Sequence, residues 1–190
     1  PLLTFLDTRG VDEPGYDPTE DLAQFDSKAH VIVVTAKATD FAQGNVRHAL
    51  ERIRAASRSR PVVLIITCLN EAIPRQPHPY PYPFGATVAE PAAPVPEGLP
   101  EQLRQCIDEH RRAYAGLYDA CVPVDLTKPE DGFADPNYGG ERLKEALLTV
   151  LPSAYRQTLL RLKEATDALK GAHQRHAEPI ILGYTSLAGT

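Results

Sequence analysis

Three stretches of the chain are apolar without polar alternation: Leu2 to Leu6, Ala29 to Thr35 and Pro61 to Thr67. Continuous runs of this kind predict strands of a parallel sheet covered on both faces. Between the second and third runs, Phe41, Val46, Ala49, Leu50 and Ile53 share one face at helical spacing, which predicts a helix from Phe41 to Ser57. Asp40, three residues ahead of Gln43, resembles a capping arrangement at its start. A second helical stripe, Leu103, Cys106, Ile107, His110, Tyr114 and Leu117, opens at Pro100-Glu101 with proline in the first turn. A short strand from Ala120 to Val124 follows, and Pro123 within it predicts an edge position. A polar loop from Pro129 to Gly140 then leads to a helix carrying Leu143, Leu147 and Leu148 and closed by Pro152. Ser153 caps a further helix from Ala154 to about Ala172. The order predicts an α/β fold, a mostly parallel sheet flanked by helices, with a C-terminal helix.

Two segments interrupt this order. Residues Val11 to Lys28 are acidic and carry Pro14, Gly15 and Pro18, which suits a loop with a short helix from Thr19 to Phe25. Residues 73–100 hold half of the 18 prolines. Proline removes the backbone donor and fixes φ, so this stretch forms neither a central strand nor a helix interior. It reads as a polyproline-like surface insertion, with Tyr80, Tyr82 and Phe84 packing back onto the domain. Arg47, Arg52, Arg54, Arg58 and Arg60 read as a solvated face that complements the helix dipole.

Composition narrows the classes. The 190 residues suffice for one domain with a sizeable core, and a net charge of −5 argues against a broad nucleic-acid surface. Cys68, Cys106 and Cys121 are odd in number and far apart, as expected of free thiols in a reducing, cytoplasmic setting. His173 and His176 lack a third metal ligand and read as surface histidines.

The first strand ends in Asp7-Thr8-Arg9-Gly10 and the third in Thr67-Cys68-Leu69-Asn70, while Asp125-Leu126-Thr127-Lys128 follows the Ala120 to Val124 strand. This order resembles GTPases of the Era-like, translation-factor-related class. The resemblance covers about Pro1 to Leu151 and implies the following roles. Asp7 holds Mg²⁺ through water, and Gly10 gives its backbone N–H to the γ-phosphate. Thr67 and Asn70 stand in the base-reading motif [NT]-K-x-D, and Thr127 lies in the last nucleotide-contacting loop. The 11–28 segment corresponds to the part that orders on γ-phosphate binding. Val11 follows the motif glycine where some relatives keep a water-orienting glutamine. The phosphate loop, G-x-x-x-x-G-K-[ST], lies upstream of Asp-x-x-Gly in the family. The resemblance therefore implies a partial GTPase domain, 1–151, cut ahead of Pro1, and a helical extension, 152–190, cut at its end and membrane-proximal in the parent. Residues 183–190 do not replace the loop: Gly183 and Gly189 are separated by five residues rather than four, and Thr190 stands where lysine belongs.

The sequence departs from the family at Cys68, where lysine is usual, and at Asn70, where aspartate is usual. A carboxylate accepts from both guanine N–H groups, whereas a carboxamide offers one acceptor and one donor. The base stays open between guanine, xanthine and none. Two classes follow: a GTP-binding hydrolase in the parent, with this fragment not competent by itself, or an interaction scaffold that kept the frame and lost the chemistry. Thr67 and Asn70 are equally readable as residues that only end a strand. In the family the phosphate-loop strand separates Leu2 to Leu6 from Val31 to Thr35. Its place predicts strand pairing by Pro179 to Tyr184, a separate peptide or a second copy in a homo-oligomer, or else a direct pairing of the two runs.

Overall fold

Apolar runs 30 residues apart become neighbours because parallel strands need a crossover between them. The computed structural model describes residues 30–56, 60–84 and 95–151. Strands β1 (Ile32–Lys37), β2 (Val62–Thr67) and β3 (Ala120–Pro123) pair in the order β1-β2-β3, all parallel. Val34 lies opposite Leu64, and Leu64 opposite Cys121. Helix α1 (Gly44–Ala56) joins β1 to β2, and a short helix α2 (Leu69–Ala72) follows β2. Helix α3 (Glu101–Ala113) precedes β3. An antiparallel hairpin of β4 (Asp125–Leu126) and β5 (Asn137–Tyr138) leads to α4 (Gly140–Val150). The fold is thus α/β, a parallel sheet between helices, as the strand pattern predicts.

β2 is the centre of the packing. Val62 to Ile66 are all buried, and alternate side chains go to opposite faces of the sheet. Val62 and Leu64 cluster with Leu50 and Ile53 of α1 and with Tyr114 and Tyr118. Ile66, one step further along the same face, meets Leu69, Leu103 and Ile107. Val63 and Ile65 point the other way, to a cluster with Val124 and Ala146 against which Leu143 and Leu147 of α4 pack. Complete burial of an apolar side chain is worth about 1.5–3 kcal/mol, so this strand anchors both helical layers.

Boundaries shift where local chemistry overrides the pattern. β1 begins at Ile32 and continues two residues past Thr35, because Ala36 and Lys37 still pair with Ile66 and Thr67. α1 starts at Gly44 rather than Phe41: Asp40 Oδ1 accepts the Ala42 N–H at 3.0 Å, closing a turn that holds the chain out of the helix. Phe41 stays 58% exposed and stacks on His110 at 5.2 Å. Pro123 sits in β3, one of the two outer strands of the described sheet. Pro100 occupies the cap position of α3, where its carbonyl accepts the Arg104 N–H.

At the amino edge of the sheet the arginine cluster is more than a solvated face. The Arg54 side chain is only 14% exposed and donates to Leu117 O, Arg60 O and Asp119 Oδ2, the last at 2.6 Å. Asp119 Oδ2 also accepts the Val62 N–H at 2.7 Å. One guanidinium therefore ties the end of α1 to the starts of β2 and β3. In the proline-rich segment Tyr82 and Phe84 pack on the core, but Tyr80 is 93% exposed, contrary to expectation. The predicted strand Leu2 to Leu6, helices at Thr19 to Phe25 and Ala154 to Ala172, and strand-like Pro179 to Leu182 lie outside the described residues.

Candidate functional site

Parallel pairing brings the carboxyl ends of β1, β2 and β3 to one edge, the edge at which open α/β sheets bind ligands. Three loops leave from it. The loop after β1 is held by His110, whose Nε2 lies 3.0 Å from Lys37 O and 3.1 Å from Ala38 O. Carbonyls only accept, so Nε2 carries the hydrogen and donates to both. Beside it, Lys37 Nζ and Glu71 Oε2 pair at 2.8 Å, and the Thr39 hydroxyl donates to the same oxygen at 3.3 Å. The hydrogen bond and charge of Glu71 raise the Lys37 pKa, and the Lys37 hydrogen bond lowers that of Glu71. Both groups are well exposed, so solvent screens the pair strongly.

The loop after β2 turns through Cys68, whose backbone is left-handed at φ 56° and ψ 45°. This kink starts α2 immediately, with Glu71 N–H donating to Cys68 O. The Thr67 hydroxyl points sideways to Ala36 O at 3.4 Å, a weak contact. Among the described residues Cys68 makes no side-chain hydrogen bond, and the charged neighbour that feels its thiol electrostatically is the Lys37 ammonium, not a base positioned to take its proton. The Asn70 carboxamide likewise has no hydrogen-bond partner among the described residues, and its side chain is half-buried.

Asp125, just past β3, joins this loop to the proline-rich segment. It is buried, and its Oδ2 accepts the Asn70 backbone N–H at 2.7 Å and the His78 Nε2–H at 2.8 Å. The side chains of His78 and Asp125 are 6% and 4% exposed. The His78 ring stacks on Phe133 at 4.7 Å and on Tyr138 at 4.3 Å. Tyr138 donates its hydroxyl to Pro79 O, and Tyr82 donates to Pro123 O, each at 2.7 Å. Burial pushes both tyrosine hydroxyls well above their ordinary pKa, so they remain donors at any ordinary pH. The proline-rich loop is therefore fastened to the carboxyl edge by the side chains of His78 and Tyr82 and the Pro79 carbonyl, with Tyr80 between them left in solvent.

Of the sequence-predicted site residues, Thr67 and Asn70 lie on this edge. Asn70 is bonded to the first residue of the Asp125 to Lys128 loop. Thr127 is engaged with the hairpin: its N–H donates to Pro136 O at 3.0 Å, and its hydroxyl is buried without a partner. Asp7 and Gly10, including the expected Mg²⁺ contact of Asp7, lie outside the described residues. Among the described residues no group of three or more His, Cys, Asp or Glu could hold a metal, and no helix is long and apolar enough to cross a membrane. Sequence reasoning missed His78 and the role of Asp125. The one signal was a histidine inside a proline-aromatic run, a residue type unlike its neighbours. No family model, no curated protein and no solved structure matches the chain.

Proposed function

We propose that residues 1–151 belong to a guanine-nucleotide-binding domain of the P-loop GTPase class, and that its Thr67 to Asn70 and Asp125 to Thr127 loops face the base. The observation that supports this is the bond between Asn70 N–H and Asp125. It joins, at the carboxyl edge of a parallel sheet, the two loops that the resemblance assigns to base contact. The reading requires a phosphate loop outside residues 1–190, since no glycine of the chain is immediately followed by lysine. Most phosphate affinity comes from the amides and lysine of such a loop. Residues 1–190 alone are therefore expected to bind GTP weakly, and hydrolysis, with Mg²⁺ near Asp7, belongs to the longer polypeptide.

A polypeptide extended ahead of Pro1 to include that loop tests the reading by titration with fluorescent GTP and XTP. Asn70→Asp restores an acceptor for the second guanine N–H and should shift the affinity ratio toward GTP by about tenfold, the worth of one hydrogen bond. An unchanged ratio would show that Asn70 does not read the base. A second reading, an interaction scaffold without nucleotide chemistry, is favoured by Cys68 and Asn70 standing where the family has lysine and aspartate and by Asp125 being spent on internal bonds. Absence of nucleotide binding in the extended polypeptide selects it.

A further inference from the structure

We propose that His78 and Asp125 are positioning residues that lock the Cys68 to Asn70 turn in its base-facing form, an inference that rests on the nucleotide-site reading above. Packing of Leu69 and Ala72 anchors the turn to the core, but few polar contacts fix the orientation of Asn70 within it. Cys68 caps α2 without a side-chain bond, α2 is four residues long, and the Thr67 hydroxyl contact is long. What holds Asn70 is the buried carboxylate of Asp125, 55 residues away, and it does so through the backbone N–H. This leaves the Asn70 carboxamide unspent.

Asp125 is oriented in turn by His78, since one oxygen, Oδ2, accepts from both Asn70 and His78. Hydrogen bonds to a charged acceptor in a dry site are short and directional, and the two fix the carboxylate plane together. His78 cannot swing, because Phe133 and Tyr138 stack on its ring and Tyr138 is itself bonded to Pro79 O. The chain of contacts runs from the hairpin, through the proline-rich loop, to the backbone of the residue at the base-reading position. The insertion thus sets the backbone of the recognition loop through His78 and Asp125. The ligand class is a purine nucleotide whose base edge meets the Asn70 carboxamide.

His78→Phe retains the stack and removes the donor, and Asp125→Asn keeps the shape and weakens both bonds. In the 190-residue chain, amide hydrogen exchange should show Asn70 N–H protected, and His78→Phe should reduce that protection at least tenfold while Leu64 and Ile66 in β2 stay unchanged. In the extended polypeptide the same variant should change the GTP-to-XTP affinity ratio at least fivefold, with Asp125→Asn between it and the parent. Equal weakening of both nucleotides, unchanged Asn70 exchange, or uniform loss of protection through β2 would each overturn the positioning role. Failure of the parent polypeptide to bind any nucleotide would instead remove the reading on which it rests, and the proposal with it. If His78→Phe does not fold, His78→Gln, which keeps a donor, decides the matter: it should hold both the Asn70 protection and the ratio near the parent values.

Discussion

Single residues on this chain behave according to what surrounds them more than according to type. The three cysteines illustrate it. Burial pushes the Cys121 thiol up to about 12 and raises that of Cys106, while Cys68 sits at a left-handed turn without a side-chain cap bond. The thiolate is the reactive form. At pH 8 iodoacetamide should therefore label Cys121 last, which peptide mass spectrometry of a time course would resolve. The same burial has a pH consequence. Above pH 9 the unfolded chain loses the Cys121 proton while the folded chain retains it, so unfolding releases a proton and stability falls as pH rises toward 12. Cys121→Ala should flatten that alkaline slope in denaturant titrations at pH 8, 9 and 10. A steeper slope in the variant would contradict the sign. Arg54 shows the limit of reading charge from sequence. Its neighbours in the run suggest a solvated face, but three acceptors 6 to 65 positions away claim it.

Elements depend on a few backbone positions. α4 begins after Gly139, which is left-handed at φ +82°. A Cβ there would lie 2.6 Å from Pro123 O and 2.9 Å from Tyr82 Cε2, the two groups joined by the Tyr82 hydrogen bond. Gly139→Ala combines left-handed strain with a clash against backbone, so a loss of about 3 kcal/mol is expected. Gly44→Ala is the control: nothing lies within 4 Å of its Cβ position and it opens α1. It should be neutral or stabilising by up to about 1 kcal/mol. Urea titrations of both variants check the contrast, and equal effects would defeat it. Legibility in the sequence follows the same scale. β2 and α3 are written plainly, because a five-residue buried run and a helical stripe each repeat their signal. α2, β4 and β5 are not, since four residues or two give no period to detect. At the site, Thr67 is legible as the end of a strand, whereas Asn70 lies in α2, whose four residues announce no period. The His78–Asp125 pair is not legible either, because its two halves are 47 residues apart and neither carries a local pattern that names the other.

At the scale of the molecule, one strand serves two hydrophobic layers, and this sets how the described domain comes apart. Leu64 faces Leu50, Ile53 and Tyr114, whereas Val63 and Ile65 face the α4 layer. If the layers were separately stable, a cavity under α1 would loosen α1 and α3 and leave α4 intact. But both layers are anchored on adjacent residues of the same backbone, and parallel pairing with β1 and β3 runs through that backbone. Displacing β2 removes both at once. Leu64 is fully buried, so Leu64→Ala should cost about 2–5 kcal/mol. Val33→Ala on the half-exposed β1 should stay within about 0.5 kcal/mol. With a urea slope of about 1–3 kcal/mol per molar, the Leu64 variant should unfold at least about 0.7 M earlier. Native-state hydrogen exchange is the decisive measurement. In Leu64→Ala, the slowest amides of α1, α3 and α4 should lose protection by the same factor, the mark of a shared global opening. Selective loss in α1 and α3 with α4 unchanged would show two layers that unfold independently and would refute the single-strand anchor.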